Sequence, residues 1–107
     1  MEFKEFSGFS CWVGEYLTDG QLQALESELI GQPEKGDLIK GTGGARKIRV
    51  AAKGKGKRGG ARVIYYYQIA NTIHFLAIYP KNEQADLSPK VKKMIAELVQ
   101  AIKEGVL

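Results

Sequence analysis

Residues 41–68 read GTGGARKIRVAAKGKGKRGGARVIYYYQ. A short alternating run, Arg46 to Ala52, leads into a glycine- and lysine-rich connection, Lys53 to Gly60. A β-branched, tyrosine-rich run, Ala61 to Gln68, follows. Two such runs across a glycine-rich connection predict a β-hairpin. Side chains alternate across a strand, so Ile48 and Val50 oppose Lys47 and Arg49, and Arg62, Ile64, Tyr66 and Gln68 oppose Val63, Tyr65 and Tyr67. Charge sharpens the picture. Leu38 through Asn82 holds ten Lys and Arg and no Asp or Glu, while all twelve carboxylates lie on the flanks beside only six basic residues. The net charge of +4 therefore conceals a strongly cationic middle and an acidic surround. So local a field attracts polyanions.

Downstream, Ala70-Asn71 marks a turn and Thr72 to Tyr79 a third strand, stopped at Pro80 because proline cannot continue a ladder. Ser88 followed by Pro89 has the chemistry of a helix start. Val91, Ile95, Leu98 and Ile102 form that helix's stripe, with Met94 alongside, and Gly105 ends it. Upstream, Thr18-Asp19-Gly20-Gln21 fits a capping box, with Leu17 and Leu22 placed as a hydrophobic staple. Leu22, Leu25, Leu29 and Ile30 define one face of the helix that follows, and Gly31 and Pro33 end it. Phe9, Trp12, Val13, Tyr16 and Leu17 fall at helical spacing and predict a short helix before it; Phe3 to Phe9 alternates loosely as a first strand. The order β-α-α-β-β-β-α predicts one α+β domain over residues 1–107. Its expected architecture is an antiparallel β-sheet with an N-terminal α-hairpin and a C-terminal helix packed on one face, leaving Lys47 and Arg49 on the open one. Leu22, Leu25, Ile48, Val50 and Ile95 are expected in the core.

A chain of 107 residues can bury a core without staples. Cys11 is the only cysteine, which excludes an internal disulfide and points to a reducing compartment. Beside Trp12 it reads as a small hydrophobe. No apolar run approaches the roughly 20 residues that span a bilayer, and the N-terminus MEFKEF has no secretory h-region. A cytoplasmic protein without membrane contact is expected.

Gly54-Lys55-Gly56-Lys57-Arg58-Gly59 matches GxGxxG in letters only. That fingerprint needs a helix directly after it, and here a strand follows. No Gly-Lys-Ser/Thr exists for a Walker loop. The four cations of the connection could be merely a solvated hairpin tip, but Lys47, Arg49 and Arg62 extend the field onto the sheet. With Tyr66 on the Arg62 face, such a surface suits phosphates and stacked bases. Tyr65 and Tyr67 read as core. His74, beside Leu76 and Ile78 by simple alternation, reads as a packed residue rather than a catalyst. One His and one Cys do not build a zinc site, so no metal or other cofactor is expected.

The segments GDLIKGTGGARKIRVAAKGKGKRGGARVIYYY (Gly36–Tyr67) and FLAIYPKNEQADLS (Phe75–Ser88) resemble the RelE/ParE toxin superfamily, and more closely its HigB-like branch, the toxins of bacterial type II toxin–antitoxin pairs. With the helices before and after, the resemblance covers almost the whole chain. It implies a compact RelE-like, microbial-ribonuclease-like fold and ribosome-dependent cleavage of mRNA in the A site. It also implies a cognate, HigA-like antitoxin with a helix-turn-helix domain, operator DNA being contacted only through the antitoxin complex. RelE-like enzymes carry basic residues at alternate positions of the first central strand, here Lys47 and Arg49, and an arginine early in the next, here Arg62. After the last strand they carry a basic pair before a glutamate; this chain reads Lys81-Asn82-Glu83, so Asn82 stands at the second basic position. The tyrosine that RelE has at the start of its last helix is replaced by Leu87-Ser88. That departure leaves the proton donor to the leaving group unassigned, with some of its work expected from the Lys53–Arg58 loop.

Cleavage of RNA without a metal uses the 2′-hydroxyl as nucleophile, a base for its proton, positive charge on the transition state and a proton for the departing 5′-oxygen. The expected catalytic set is Lys47, Arg49, Arg62 and Lys81. Arg49 and Arg62 stay protonated and suit phosphate oxygens. Lys47 is the candidate base, because crowding by cations favours a neutral amine, and Lys81 the candidate for charge neutralisation near the leaving oxygen. Arg46, Lys53, Lys55, Lys57, Arg58, Tyr66 and Asn82 are expected to bind RNA or the ribosome. The alternative is a non-catalytic basic RNA-binding module, or a ParE-like toxin with a protein target; a phosphate clamp on the sheet would have no use in the latter.

Overall fold

Strand β4 (Ala61–Gln68) is the centre of a five-stranded sheet in a computed structural model that describes residues 1–54, 60–69, 71–81 and 87–107. Its position follows from its sequence. Val63-Ile64-Tyr65 has no polar alternation, which is how a strand covered on both faces reads; all three are at most 1% exposed. Around it the sheet runs β1 (Glu2–Glu5), β5 (Thr72–Pro80), β4, β3 (Ala45–Val50) and β2 (Asp37–Leu38). The central three are antiparallel, as the hairpin signals require. β1 departs from the expected all-antiparallel sheet: it pairs with β5 in parallel, from Glu2 opposite Thr72 to Glu5 opposite Phe75. Parallel neighbours need a long crossover, and everything from residue 6 to residue 71 supplies it.

Layers form on both faces, not on one. The first holds α1 (Ser7–Ser10), α2 (Val13–Tyr16) and α3 (Asp19–Gly31), whose Phe9, Leu17, Leu25 and Leu29 pack with Ile48, Val50, Val63, Tyr65, Ile73, Phe75 and Ile78. The single helix expected near Phe9 is thus two separate turns, with Trp12 half exposed and Cys11 in solvent rather than packed. The second layer is α4 (Pro89–Glu104), whose Ile95, Val99 and Ile102 cover Ile39, Ala45, Ile64 and Leu76. Its buried stripe is rotated from the expected one, since Val99 replaces Leu98 and Met94 is 56% exposed. Of the expected core, only Leu22 is peripheral, half-buried at the edge of the first layer.

Caps formed as their chemistry demands. Thr18 Oγ1 accepts from the Gln21 amide at 3.1 Å, and Gln21 Oε1 accepts from the Thr18 amide at 2.9 Å. Ser88 Oγ accepts from the Val91 amide, and Gly105 closes α4 at φ 75°, in the left-handed region where glycine is at ease. No helix among the described residues is long and apolar enough to cross a membrane.

One irregularity redirects the outer end of β5. Tyr65 pairs with Phe75 and Ile64 with Ala77, so Leu76 is an extra residue on the β5 side. A bulge of this kind inverts the parity of everything beyond it. Leu76 and Ala77 both face α4, Ile78 returns to the first layer, and Tyr79 comes to the α4 face. Simple alternation places Ile78 beside His74; the bulge separates them.

His74 is 4% exposed and lies between Phe6 and Tyr66. Its Nε2 shares a 2.9 Å hydrogen bond with Gln68 Oε1, so Nε2–H donates and Nδ1 carries a lone pair that has no partner among the described residues. Burial, seconded by Lys4 and opposed by Glu2, lowers its pKa from the ordinary value of 6.5. The unfolded chain therefore binds this proton more readily. Stability falls as pH drops through 6.5 towards the lower folded value, and is regained above it. Between about pH 7 and about pH 5, the urea midpoint is expected to fall less in His74→Gln than in the native chain. Equal slopes would show that His74 is not responsible.

Candidate nucleic-acid interface

On the α4 face, the three central strands place their side chains in rows. Ala45, Tyr66 and His74 form one; Lys47, Ile64 and Ala77 the next; Arg49, Arg62 and Tyr79 the last. α4 covers the apolar middle. On β3 it meets Ala45, whereas Lys47, half-buried, and Arg49, exposed, stand outside that apolar cluster. Arg62 is the direct cross-strand partner of Arg49, and Lys47 is two residues away on the same strand, about 7 Å along it. The sequence's three expected sheet cations are thus brought together.

Their isolation is as informative as their proximity. The side chains of Lys47 and Arg49 make no hydrogen bond or ion pair among the described residues, although Asp37 stands opposite Lys47 on β2. The Arg62 side chain makes only a long 3.4 Å contact to its neighbour's carbonyl. Two arginines directly opposite one another repel. A sheet would keep such an arrangement only at a cost to its own stability. What it can do chemically is hold an anion between two planar forks, with a third cation at the side.

Lys81 follows β5, its amide donating to the Gly60 carbonyl at 3.2 Å, which holds it at the Arg62 end of the sheet with an exposed side chain. Arg46 does not belong to the cluster. It lies on the opposite face, where Nη1 donates to the Glu34 and Gly36 carbonyls at 3.0 and 2.7 Å and Nη2 pairs with the Glu34 carboxylate at 3.2 Å. There it clamps the loop before β2. The same loop is held by Tyr65, whose hydroxyl accepts from the Gly36 amide and donates to the Pro33 carbonyl; burial pushes that phenol's pKa up. Gly36 is required by this contact, since a Cβ would sit 2.9 Å from the Tyr65 ring.

A model of the family described as the RelE toxin of the RelE/RelB toxin–antitoxin system matches residues 13–105. The chain belongs to the RelE toxin family. It is accordingly the toxin of a toxin–antitoxin system, with an antitoxin as partner.

The remaining expected contacts of this RelE-family chain divide sharply. Lys53 is tied down: its amide donates to the Tyr16 carbonyl at 2.8 Å and its ammonium to the Gly14 carbonyl at 2.5 Å. It sits against α2, away from the arginine row. Tyr66 shares the face of Arg62 but lies about 13 Å along the strand from it. Its ring is occupied by His74 at 6.2 Å and by the Lys103 ammonium at 5.9 Å. Lys55, Lys57, Arg58 and Asn82 lie outside the described residues. Sequence reasoning missed Tyr79. It stands opposite Arg62, half-buried, with its ring against the cluster beneath α4. Only the bulge at Leu76 puts it there, and no local signal in β5 announces that bulge.

Proposed function

We propose that this RelE-family toxin is a HigB-like, ribosome-dependent endoribonuclease that cleaves translated mRNA in the A site and so arrests translation. The observation that supports this best is the triad of Lys47, Arg49 and Arg62 on one sheet face, whose side chains form no ion pair among the described residues. A protein-target toxin has no use for such a phosphate clamp. In this reading the two guanidinium forks bind the non-bridging oxygens of the scissile phosphate, where charge grows in the transition state. Lys47 takes the proton of the 2′-hydroxyl. Lys81 neutralises charge at the leaving side. With so sparse a set of proton-transfer groups, most of the rate enhancement must come from positioning, which fits a substrate oriented by the ribosome. The antitoxin in this reading is HigA-like, with a helix-turn-helix domain that carries the complex to operator DNA, and the toxin acts in the cytoplasm.

Primer extension on a translated message after brief induction tests the proposal. New 5′ ends within the reading frame are expected, and they should vanish when the start codon is destroyed. Growth arrest with intact messages would overturn it in favour of a protein target.

A further inference from the structure

Cleavage of RNA as proposed above requires a proton for the departing 5′-oxygen. Neither the arginines nor Lys47 is suited to give it, and Lys81 is an exposed side chain beyond the end of β5 that keeps its charge in the proposed role. Guanidinium does not deprotonate in proteins. Lys47 is assigned to the other side of the reaction. His74 is buried two rows away with its Nε2 engaged by Gln68.

The last row contains one more side chain. Arg49, Arg62 and Tyr79 lie in register across three adjacent strands. Opposed side chains in such a ladder have Cβ atoms about 5 Å apart, so Tyr79 borders any phosphate held by the two forks. Its ring packs against the apolar cluster under α4, which restricts its motion and orders it without help from the substrate. A phenol brings an O–H donor. The bulge at Leu76 is what delivers it; without that extra residue Tyr79 would face the α1–α3 layer.

From this juxtaposition we infer that Tyr79 is the general acid of the reaction. The inference rests on the endoribonuclease reading. The 2′-oxygen attacks phosphorus as its proton passes to Lys47, and the bond between phosphorus and the 5′-oxygen breaks. The 5′-oxygen takes the proton of the Tyr79 hydroxyl. The products are a 2′,3′-cyclic phosphate and a 5′-hydroxyl; Lys47 then releases its extra proton to water and the Tyr79 phenolate takes one back from water.

The test is single-turnover cleavage on ribosomes programmed with a synthetic message, comparing the native chain, Tyr79→Phe and Arg62→Ala. Each is assayed on an ordinary A-site codon and on one whose scissile 5′-oxygen is replaced by sulfur. Tyr79→Phe keeps the ring and removes only the donor. Its cleavage of the ordinary message should fall by about 10²–10⁴, with ribosome binding unchanged. A thiolate, whose conjugate acid has an ordinary pKa near 8.5, leaves without help. The sulfur message should therefore be cut by Tyr79→Phe as fast as by the native chain, while Arg62→Ala stays defective on both. A merely structural or stacking role would not produce that selective rescue. Native-like cleavage by Tyr79→Phe, or an equal loss on both messages, overturns the assignment and leaves the endoribonuclease reading standing. Absence of cleavage by the native chain overturns both.

Discussion

Arg62→Ala is expected to lose about 10²–10³ in the rate of message cleavage, and with it growth arrest, while keeping its fold, its ribosome binding and its antitoxin complex. The magnitude is that of a preorganised donor aimed at developing charge. Arg62 qualifies because a strand holds it, because it faces Arg49 in register, and because it has no carboxylate partner among the described residues. The same facts predict the structural outcome. Removing one of two opposed like charges relieves repulsion, so the variant's melting temperature should equal or exceed that of the native chain. Lys47→Ala should be similarly inactive. The measurements are single-turnover cleavage on programmed ribosomes, ribosome binding by sedimentation, and a thermal melt. Near-normal cleavage by a folded Arg62→Ala would remove the site from this face of the sheet.

The largest effect on stability is expected at Phe75. Its side chain is fully buried and stacks on both Phe9, with centroids 4.6 Å apart, and Phe3, at 5.6 Å. These three rings join β5, α1 and β1. Phe75→Ala deletes the middle of the stack and leaves a cavity no neighbour can fill, at a cost of about 3–5 kcal/mol. Small domains have about 5–15 kcal/mol in all, so most of the stability is at stake. Urea unfolding followed by tryptophan fluorescence should show a much lower midpoint with an unchanged slope. A loss below about 1 kcal/mol would mean that the stack is not the keystone of this layer.

What could be read from the chain, and what could not, follows from the range of each interaction. The capping box at Thr18 and Gln21 and the start at Ser88 and Pro89 satisfy themselves within one turn, and both were legible. So was the cluster of Lys47, Arg49 and Arg62, because parity within a strand and register across a hairpin are local matters. The face chosen by α4 was not. Its signal lay in the two-sided apolar run of β4, which is recognisable once the sheet is known to be central. The bulge at Leu76 had no signature in β5 itself, yet it decides the side on which Ile78 and Tyr79 emerge. Arg46 looks in sequence like its basic neighbours. Only the fold brings Glu34 and Gly36 to meet it.

The parallel pairing of β1 with β5 also determines when the domain can form. Phe3 and Ile73 are partners across about 70 residues of chain, and closing so large a loop before any reward is entropically slow. On a ribosome, the first strand emerges long before the strand it must join. Until β5 is out of the exit tunnel, Phe3 and Phe9 have no Phe75 to stack on, and Arg62 has no neighbour on its far side. The nascent toxin thus remains without a completed sheet until most of its own message has been translated. Its maturation is timed by the process it is proposed to arrest.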